Sequence, residues 1–428
     1  MLKLLTIAAI FLNIGVFPAQ CETSAMKALV RLESATAQPA PEISEPASLK
    51  TTSANPRYWI AVKAQNKGER TDLAELGLAI EEIASQTVSG TVSEKSLAKI
   101  KVRGFLVGYE RRIEEFRPKA QKDFPQQDAK YHDYVRTYSE LQSVAGALAG
   151  YASLYSVGKS AEGRDIWCLR LNKNARNDDA SSDPGAVVVG NHHAREHISV
   201  EIPLRFARWL ADNKGKSDVK ALLDSRDIYI IPMLNPDGAE YDIRGGQYHY
   251  WRKTVRKLPS GDLGADINRN YGYLWGQGGS SPDPSADTYM GPSAFSEPET
   301  LAMKQLFDTH TNITTCNSYH SYGSVVYYPW SGTYDDIPDA KDLAAFKTIA
   351  GKIAALAGYR AEKSSDSYLS TGDMNDWTYA AHHVFSFTTE LDGSGFYPGA
   401  AAIDNAAPGN IKAMLYMAQI SDNPLNAR

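Results

Sequence analysis

Ala186-Val187-Val188-Val189-Gly190-Asn191-His192-His193-Ala194-Arg195-Glu196-His197 passes from a short apolar run directly into two imidazoles, a guanidinium and a carboxylate. An apolar run of this length with β-branched residues reads as a buried strand, Ala186 to Gly190. The amphipathic stretch His197 to Asn213 that follows reads as a helix. Strand, polar turn, helix is the unit from which α/β domains are built, and the polar groups fall where the strand ends.

The same turn is a candidate metal site. Zinc takes neutral imidazole nitrogens and carboxylate oxygens, and a catalytic site uses three protein ligands so that a fourth position stays open. Two readings are available. In one, His193 and Glu196, three residues apart on one face of a turn, are ligands, and the third ligand comes from far along the chain. In the other, the letters H-x-x-E-H make His193 and His197 the ligands and Glu196 the base, the inverzincin order. The motif alone leaves both open.

Downstream of Asp128, helix-like and strand-like runs alternate. Helices are expected at 134–152, 197–213, 297–309, 341–357 and 409–420, and strands at 165–171, 186–190, 227–234, 313–319, 324–329 and 384–390. This alternation predicts an α/β domain around a largely buried mixed sheet flanked by helices. Upstream, a strand at 58–62, helices at 72–83 and 94–102 and a strand at 105–109 make a smaller α/β unit. Residues 34–56 are rich in Ala, Pro, Ser, Thr and Glu and too poor in large apolar residues to offset the entropy of ordering, which predicts a linker.

The composition excludes some partners. With 45 Lys and Arg against 50 Asp and Glu, a formal charge of −5, and no basic cluster beyond Glu110-Arg111-Arg112, neither nucleic acid nor an anionic membrane surface is expected. A hydrophobic content of 43% permits a large core. Lys3, the apolar run Leu4 to Phe17 and Pro18-Ala19-Gln20-Cys21 have the layout of a secretory signal peptide, residues 1–21. Gln20 argues against a lipid anchor on Cys21, so a secreted or extracytoplasmic product without stable membrane association is expected. Cys168 and Cys316 each lie in an apolar run and read as buried free thiols, a disulfide between them being the alternative.

Further motifs follow in order: Tyr250-Trp251-Arg252-Lys253-Thr254, Asp266-Ile267-Asn268-Arg269-Asn270, Ser318-Tyr319-His320-Ser321-Tyr322, Tyr368, Asp376-Trp377-Thr378-Tyr379 and Phe387-Thr388-Thr389-Glu390-Leu391. From about Tyr131 to the C-terminus this series resembles the zinc metallocarboxypeptidase family of the pancreatic A and B enzymes. The doubled histidine and Ser370-Thr371-Gly372-Asp373-Met374 look closer to the secreted bacterial carboxypeptidase T-like enzymes. The resemblance implies a large mixed-sheet catalytic domain at 128–428, one Zn2+, and peptide or protein substrates with a free C-terminus. Residues 57–127 then stand where the family carries an inhibitory pro-domain and its activation connector, preceded by a low-complexity linker at 22–56. Arg111, Arg112, Lys119 and Lys122 are available there to an activating trypsin-like protease.

The resemblance also distributes roles. It implies that His193, Glu196 and His320 hold zinc, and that Asp266 accepts the other ring N–H of a ligating imidazole, fixing its tautomer; a plain turn aspartate is the alternative. Glu390 is implied as general base and proton shuttle, and Arg252 as the charge that meets the developing oxyanion. Asn268 and Arg269 would hold the terminal carboxylate, Tyr368 would close over the substrate, and Arg195, Ser321 and Tyr322 would line neighbouring subsites. The position of the pocket floor is Asn375, neither apolar nor acidic. Asp373 either places a carboxylate in the pocket or lies solvated at its rim, and a broad preference for bulky apolar and basic C-terminal residues is expected. The competing readings are an endopeptidase of the H-x-x-E-H type, a cell-wall peptide hydrolase, and a non-catalytic zinc-dependent peptide-binding module; the last has no need of Glu390 or Arg252.

Overall fold

The computed structural model describes residues 56–115, 124 and 128–427, and the expected signal peptide, nearly all of the linker, and Lys119 and Lys122 lie outside them. Two sheets organise these residues. The first has four antiparallel strands, β1 (Arg57–Lys63), β2 (Ala79–Ala84), β3 (Thr87–Ser93) and β4 (Val107–Arg112), in the order β2-β3-β1-β4. Ile60, Val62, Val88 and Val92 pack with Leu73 of α1 (Lys67–Glu75) and with Leu97 and Ile100 of α2 (Glu94–Val102).

The second sheet has eight strands: β5 (Ala152–Lys159), β6 (Asp165–Leu171), β7 (Gly185–Gly190), β8 (Asp227–Ile231), β9 (Ile313–Ser321), β10 (Val325–Tyr328), β11 (Arg360–Lys363) and β12 (Phe385–Leu391). Their order is β11-β10-β12-β9-β7-β8-β6-β5. The pairs β12/β9, β9/β7 and β7/β8 are parallel, while β5/β6, β6/β8 and β10/β12 are antiparallel, so the sheet is mixed. Helices cover both faces, and β7 shows why. Ala186 and Val188 face one core with Val200, Phe206 and Leu210 of α4 (Ile198–Asn213). Val187 and Val189 face another with Met303, Leu306 and Phe307 of α7 (Pro298–Thr309). A strand buried on both faces cannot alternate apolar with polar, which is why its sequence reads as an unbroken run.

The remaining helices are α3 (Tyr134–Ala147), α5 (Ser217–Ser225), α6 (Pro236–Asp242), α8 (Ala340–Ala357), α9 (Met374–His382) and α10 (Ala401–Ile420). Several expectations need correction. The helix expected at 72–83 ends at Glu75, because Gly77 turns the chain with φ +102°, and its second half is β2, where β-branched Ile80 and Ile83 pair in a sheet. The helix expected to run to residue 152 stops at Ala147, and Ala152 opens β5. α10 begins at Ala401, well before residue 409, and carries Pro408 inside it. The strand expected at 105–109 is β4, later by two to three residues, and Arg111 and Arg112, expected to be available to a protease, pair with Trp59 and Tyr58 of β1. Cys168 and Cys316 are buried free thiols. No helix among the described residues is long and apolar enough to cross a membrane.

Candidate active site

β7, β9 and β12 are mutually parallel, so their carboxyl ends open on one crevice, the usual place for a site in an α/β sheet. At the end of β7 the chain turns at Asn191 (φ +60°). Gly190 permits the turn because a Cβ there would lie 2.1 Å from the Ser199 carbonyl oxygen of the incoming helix. The turn brings His193 and Glu196 into the crevice, with the Glu196 N–H donating to the His193 carbonyl. His320 stands near the end of β9, in register with Glu390 on β12.

His193 Nδ1 lies 2.7 Å from Glu196 Oε1, His320 Nδ1 lies 3.0 Å from Glu196 Oε2, and the two Nδ1 atoms are 3.2 Å apart. All three side chains are buried. Bonds of about 2.0–2.1 Å to a tetrahedral zinc set ligands about 3.3 Å apart, so this donor set fits the ion. Burial opposes the charge of Glu196, but His193 and His320 outweigh it and hold the carboxyl below its usual range. His197, the alternative ligand, turns away to Asp242, 2.9 Å from its Nε2.

Asp266 joins two parts of the site. Its Oδ1 is 3.2 Å from His193 Nε2 and accepts the Asn268 N–H at 3.0 Å, while its Oδ2 accepts from Arg252 Nε at 2.9 Å. It is thus both the turn aspartate and the partner of an imidazole. Despite burial, Arg252 and then His193 hold its carboxyl well below the ordinary range. Glu390 behaves oppositely: burial, and then the charges of Glu196 and Glu81, push its carboxyl well above the usual range against the pull of Arg252 and Arg269.

His193, Glu196, His320, Arg252 and Glu390 share one cavity of about 850 Å³ with Asn268, Arg269, Tyr322, Tyr368, Ser370, Asp373 and Thr388, and Asp266 lies behind them. Asn268 donates to Asp373 Oδ2 at 3.0 Å, and Arg269 Nη1 donates to the Asn268 carbonyl at 2.7 Å. Arg269 Nε is buried and finds no acceptor among the described residues. Asp373 is 5% exposed, which removes the solvated-rim reading; its other oxygen caps α9 by accepting from Asn375 N and Asp376 N. Asn375 stands behind the cavity wall and donates to Thr388 Oγ1 at 2.8 Å. The Ser321 N–H donates to Glu196 Oε2 at 3.2 Å. Arg195 is fully buried, stacked on Phe396 and donating to Thr91 Oγ1 at 2.7 Å and to a Glu81 carboxylate oxygen.

Residues of the first sheet reach this cavity, which the sequence did not announce. Glu81 contacts Arg195 and lies 3.7 Å from Arg252 Nη1, and Glu82 accepts from Tyr322 Oη at 2.7 Å. Thr388 and Ser318 also went unread, although the period of two that puts them on the faces of Glu390 and His320 was available in the strand motifs.

Residues 137–413 match the zinc carboxypeptidase family. The chain is similar to a zinc carboxypeptidase of Saccharothrix mutabilis subsp. capreolus, 36% identical over 314 residues, 70% of this chain and 72% of that one. It is also similar to carboxypeptidase B of Astacus astacus, 33% identical over 275 residues, 62% of this chain and 88% of the relative. Among solved structures, carboxypeptidase A from Helicoverpa armigera shares the fold with a TM-score of 0.67 at 22% identity, over 85% of this chain and 97% of that one. With a family match across most of the catalytic sheet and its ligand triad, the chain belongs to the zinc carboxypeptidase family and is a zinc metallocarboxypeptidase.

Proposed function

We propose that the chain is a secreted zymogen whose processed form releases the last residue from peptides and proteins with a free C-terminal carboxylate. The observation that carries this reading is the buried Arg269 Nε without an acceptor, beside Asn268 and in the same cavity as the His193, Glu196 and His320 triad. An unpaired buried guanidinium N–H is costly, and a carboxylate entering the cavity removes that cost. Zinc held by the triad supplies Lewis acidity to water and to the scissile carbonyl. Glu390 takes the proton of the attacking water and returns it to the leaving amine, a task suited to a carboxylate whose proton affinity is raised by burial. Arg252, fixed by Asp266, presents its charge where the carbonyl oxygen becomes negative. Tyr368 covers the bound residue, and Asp373 and Thr388 form the wall that contacts its side chain, with Asn375 holding Thr388 from behind.

The zymogen part of the reading rests on Glu81 and Glu82, which engage Arg195, Arg252 and Tyr322 from residues 57–115. The test of the exopeptidase part compares one peptide as free acid and as C-terminal amide. Hydrogen bonds to charged groups contribute about 1.5–3 kcal/mol, so Arg269→Met should lower kcat/KM for the acid about ten- to a hundredfold and lose most of the discrimination against the amide. Equal rates on acid and amide with the unaltered enzyme would favour an endopeptidase.

A further inference from the structure

His192, the first of the doubled histidines, has no place in the mechanism above, yet it is fully buried against it. Its ring stacks on that of His320 with centroids 5.2 Å apart and planes 21° apart. Its Nδ1 is 3.1 Å from Ser318 Oγ, and the same Oγ is 3.1 Å from His320 Nε2. Its Nε2 is 3.0 Å from Tyr271 Oη. His192, Ser318, His320 and Tyr271 are each at most 1% exposed, so bulk water has no access to substitute for any of these contacts.

We propose that His192 is a positioning residue of the metal centre, acting through Ser318 to fix the tautomer and raise the ligand strength of His320. The inference rests on the reading of His193, Glu196 and His320 as the zinc ligands. An imidazole that offers the Nδ1 lone pair to a cation and stays neutral must carry its proton on Nε2. His320 Nε2–H therefore donates to Ser318 Oγ. The single hydroxyl proton of Ser318 then has one remaining acceptor, His192 Nδ1, which leaves the His192 proton on Nε2 to donate to Tyr271 Oη. A cation at His320 Nδ1 fixes the first link, and the proposed direction of the others is the one in which the Ser318 hydroxyl proton also finds an acceptor.

The chain does for one ligand what Asp266 does for the other. His193 is backed by a carboxylate at 3.2 Å, whereas His320 is backed by a hydroxyl whose own proton is taken up by an imidazole. As His320 Nδ1 gives electron density to a cation, its Nε2–H becomes a stronger donor, and an acceptor that can pass the polarisation on strengthens the bond. An aliphatic residue at position 192 would leave the Ser318 hydroxyl without its acceptor.

Zinc affinity, measured by competition with a chromophoric chelator, and the visible spectrum of the cobalt(II)-substituted protein test this on His192→Leu, Ser318→Ala and the double variant. Each single change should weaken zinc binding about ten- to a hundredfold, as losses of such outer partners do. Each should also shift the cobalt bands, and the double variant should bind no more weakly than the poorer single one, since both cut the same chain. His192→Asn, whose Oδ1 can accept from Ser318, should recover part of the affinity. Ser318→Ala removes one oxygen and keeps the test intact should His192→Leu fail to fold. Wild-type affinity and spectrum in the single variants would overturn the relay, as would losses that multiply in the double variant. A wild-type chain that binds no zinc would overturn the ligand assignment and the relay with it.

Discussion

Glu390 and His320 occupy paired positions on neighbouring parallel strands, which puts a base beside a metal ligand without any loop between them. Loops drift; a strand register does not, so the distance between base and ligand is set by the sheet itself. The proposed role of Glu390 carries a sharp expectation. Glu390→Gln removes the base and no ligand, so zinc content and substrate affinity should survive while turnover falls at least about a hundredfold. The pH dependence has a definite sign. A general base works as the carboxylate, and burial followed by the charge of Glu196 raises this carboxyl well above its ordinary range. Activity should therefore be lost as pH falls through that raised value, giving kcat/KM of the processed enzyme an acid limb above the usual carboxylate range. The residual activity of Glu390→Gln should lack that limb. An unchanged acid limb in the variant would assign the base elsewhere, with Glu196 the first alternative.

At the scale of elements, β2 shows both what a sequence reveals and what it hides. The register between β2 and β3 slips between Ile80 and Glu82, which makes Glu81 the extra residue of a β-bulge. Bulges re-aim a side chain, and here the side chain reaches Arg195 and lies near Arg252. Gly90 faces this bulge, and a Cβ on it would lie 1.9 Å from the Ala79 carbonyl oxygen, so no other residue fits without moving β2. Gly90→Val and Glu81→Gln should each raise the basal activity of the intact chain; peptide hydrolysis by unprocessed protein of verified mass checks this, and basal activity unchanged in both would deny Glu81 a blocking role. The sequence could not announce the bulge, because an amphipathic helix and a bulged edge strand share the pattern over Ala79-Ile80-Glu81-Glu82-Ile83. By contrast β7 and β12 were legible, since continuous apolar runs ending in polar motifs leave few alternatives. His193, Glu196, His320 and Glu390 sit at such strand ends, but their roles came from the resemblance of their motifs to a known family, since the residues alone left His197 as an alternative ligand. The period of two puts Ser318 on the face of His320, but neither its place between two imidazoles nor the contact of Tyr271 with His192 was legible, because spacing does not say which buried atoms face each other.

For the whole molecule, the four-stranded unit is fastened at two places to loops outside the eight-stranded sheet. At one, Arg57 pairs with Asp287 at 2.5 Å and donates to the Tyr250 carbonyl at 2.6 Å, while Lys95 and Lys99 both engage Asp283. At the other, Arg70 Nε donates to the Ser367 carbonyl at 2.7 Å and the Leu369 N–H donates to Thr71 Oγ1 at 3.0 Å, so the backbone on either side of Tyr368 is held by the unit. Tyr368 itself packs against the core of that unit. A tyrosine expected to close over substrate is thus engaged elsewhere, and both arginines expected to meet substrate face Glu81. On the zymogen reading proposed above, release takes a cut between this unit and the catalytic domain. Arg111 and Arg112 are paired in β4, and a protease needs an extended segment free of its sheet, whereas Phe124 is buried against Tyr131 and His197 of the catalytic domain. Cleavage should therefore fall between residues 115 and 124, where Lys119 and Lys122 are the basic residues not followed by proline, as Arg117 is, and Phe124 should stay with the catalytic domain. The intact chain should be nearly inactive, and limited trypsin should raise activity in step with the appearance of an N-terminus at Ala120 or Asp123, read by intact mass. Lys119→Gln combined with Lys122→Gln should abolish that activation. Full activity in a chain of unprocessed mass, or activation that persists in the double variant with a new N-terminus at Arg112 or Ile113, would defeat this account.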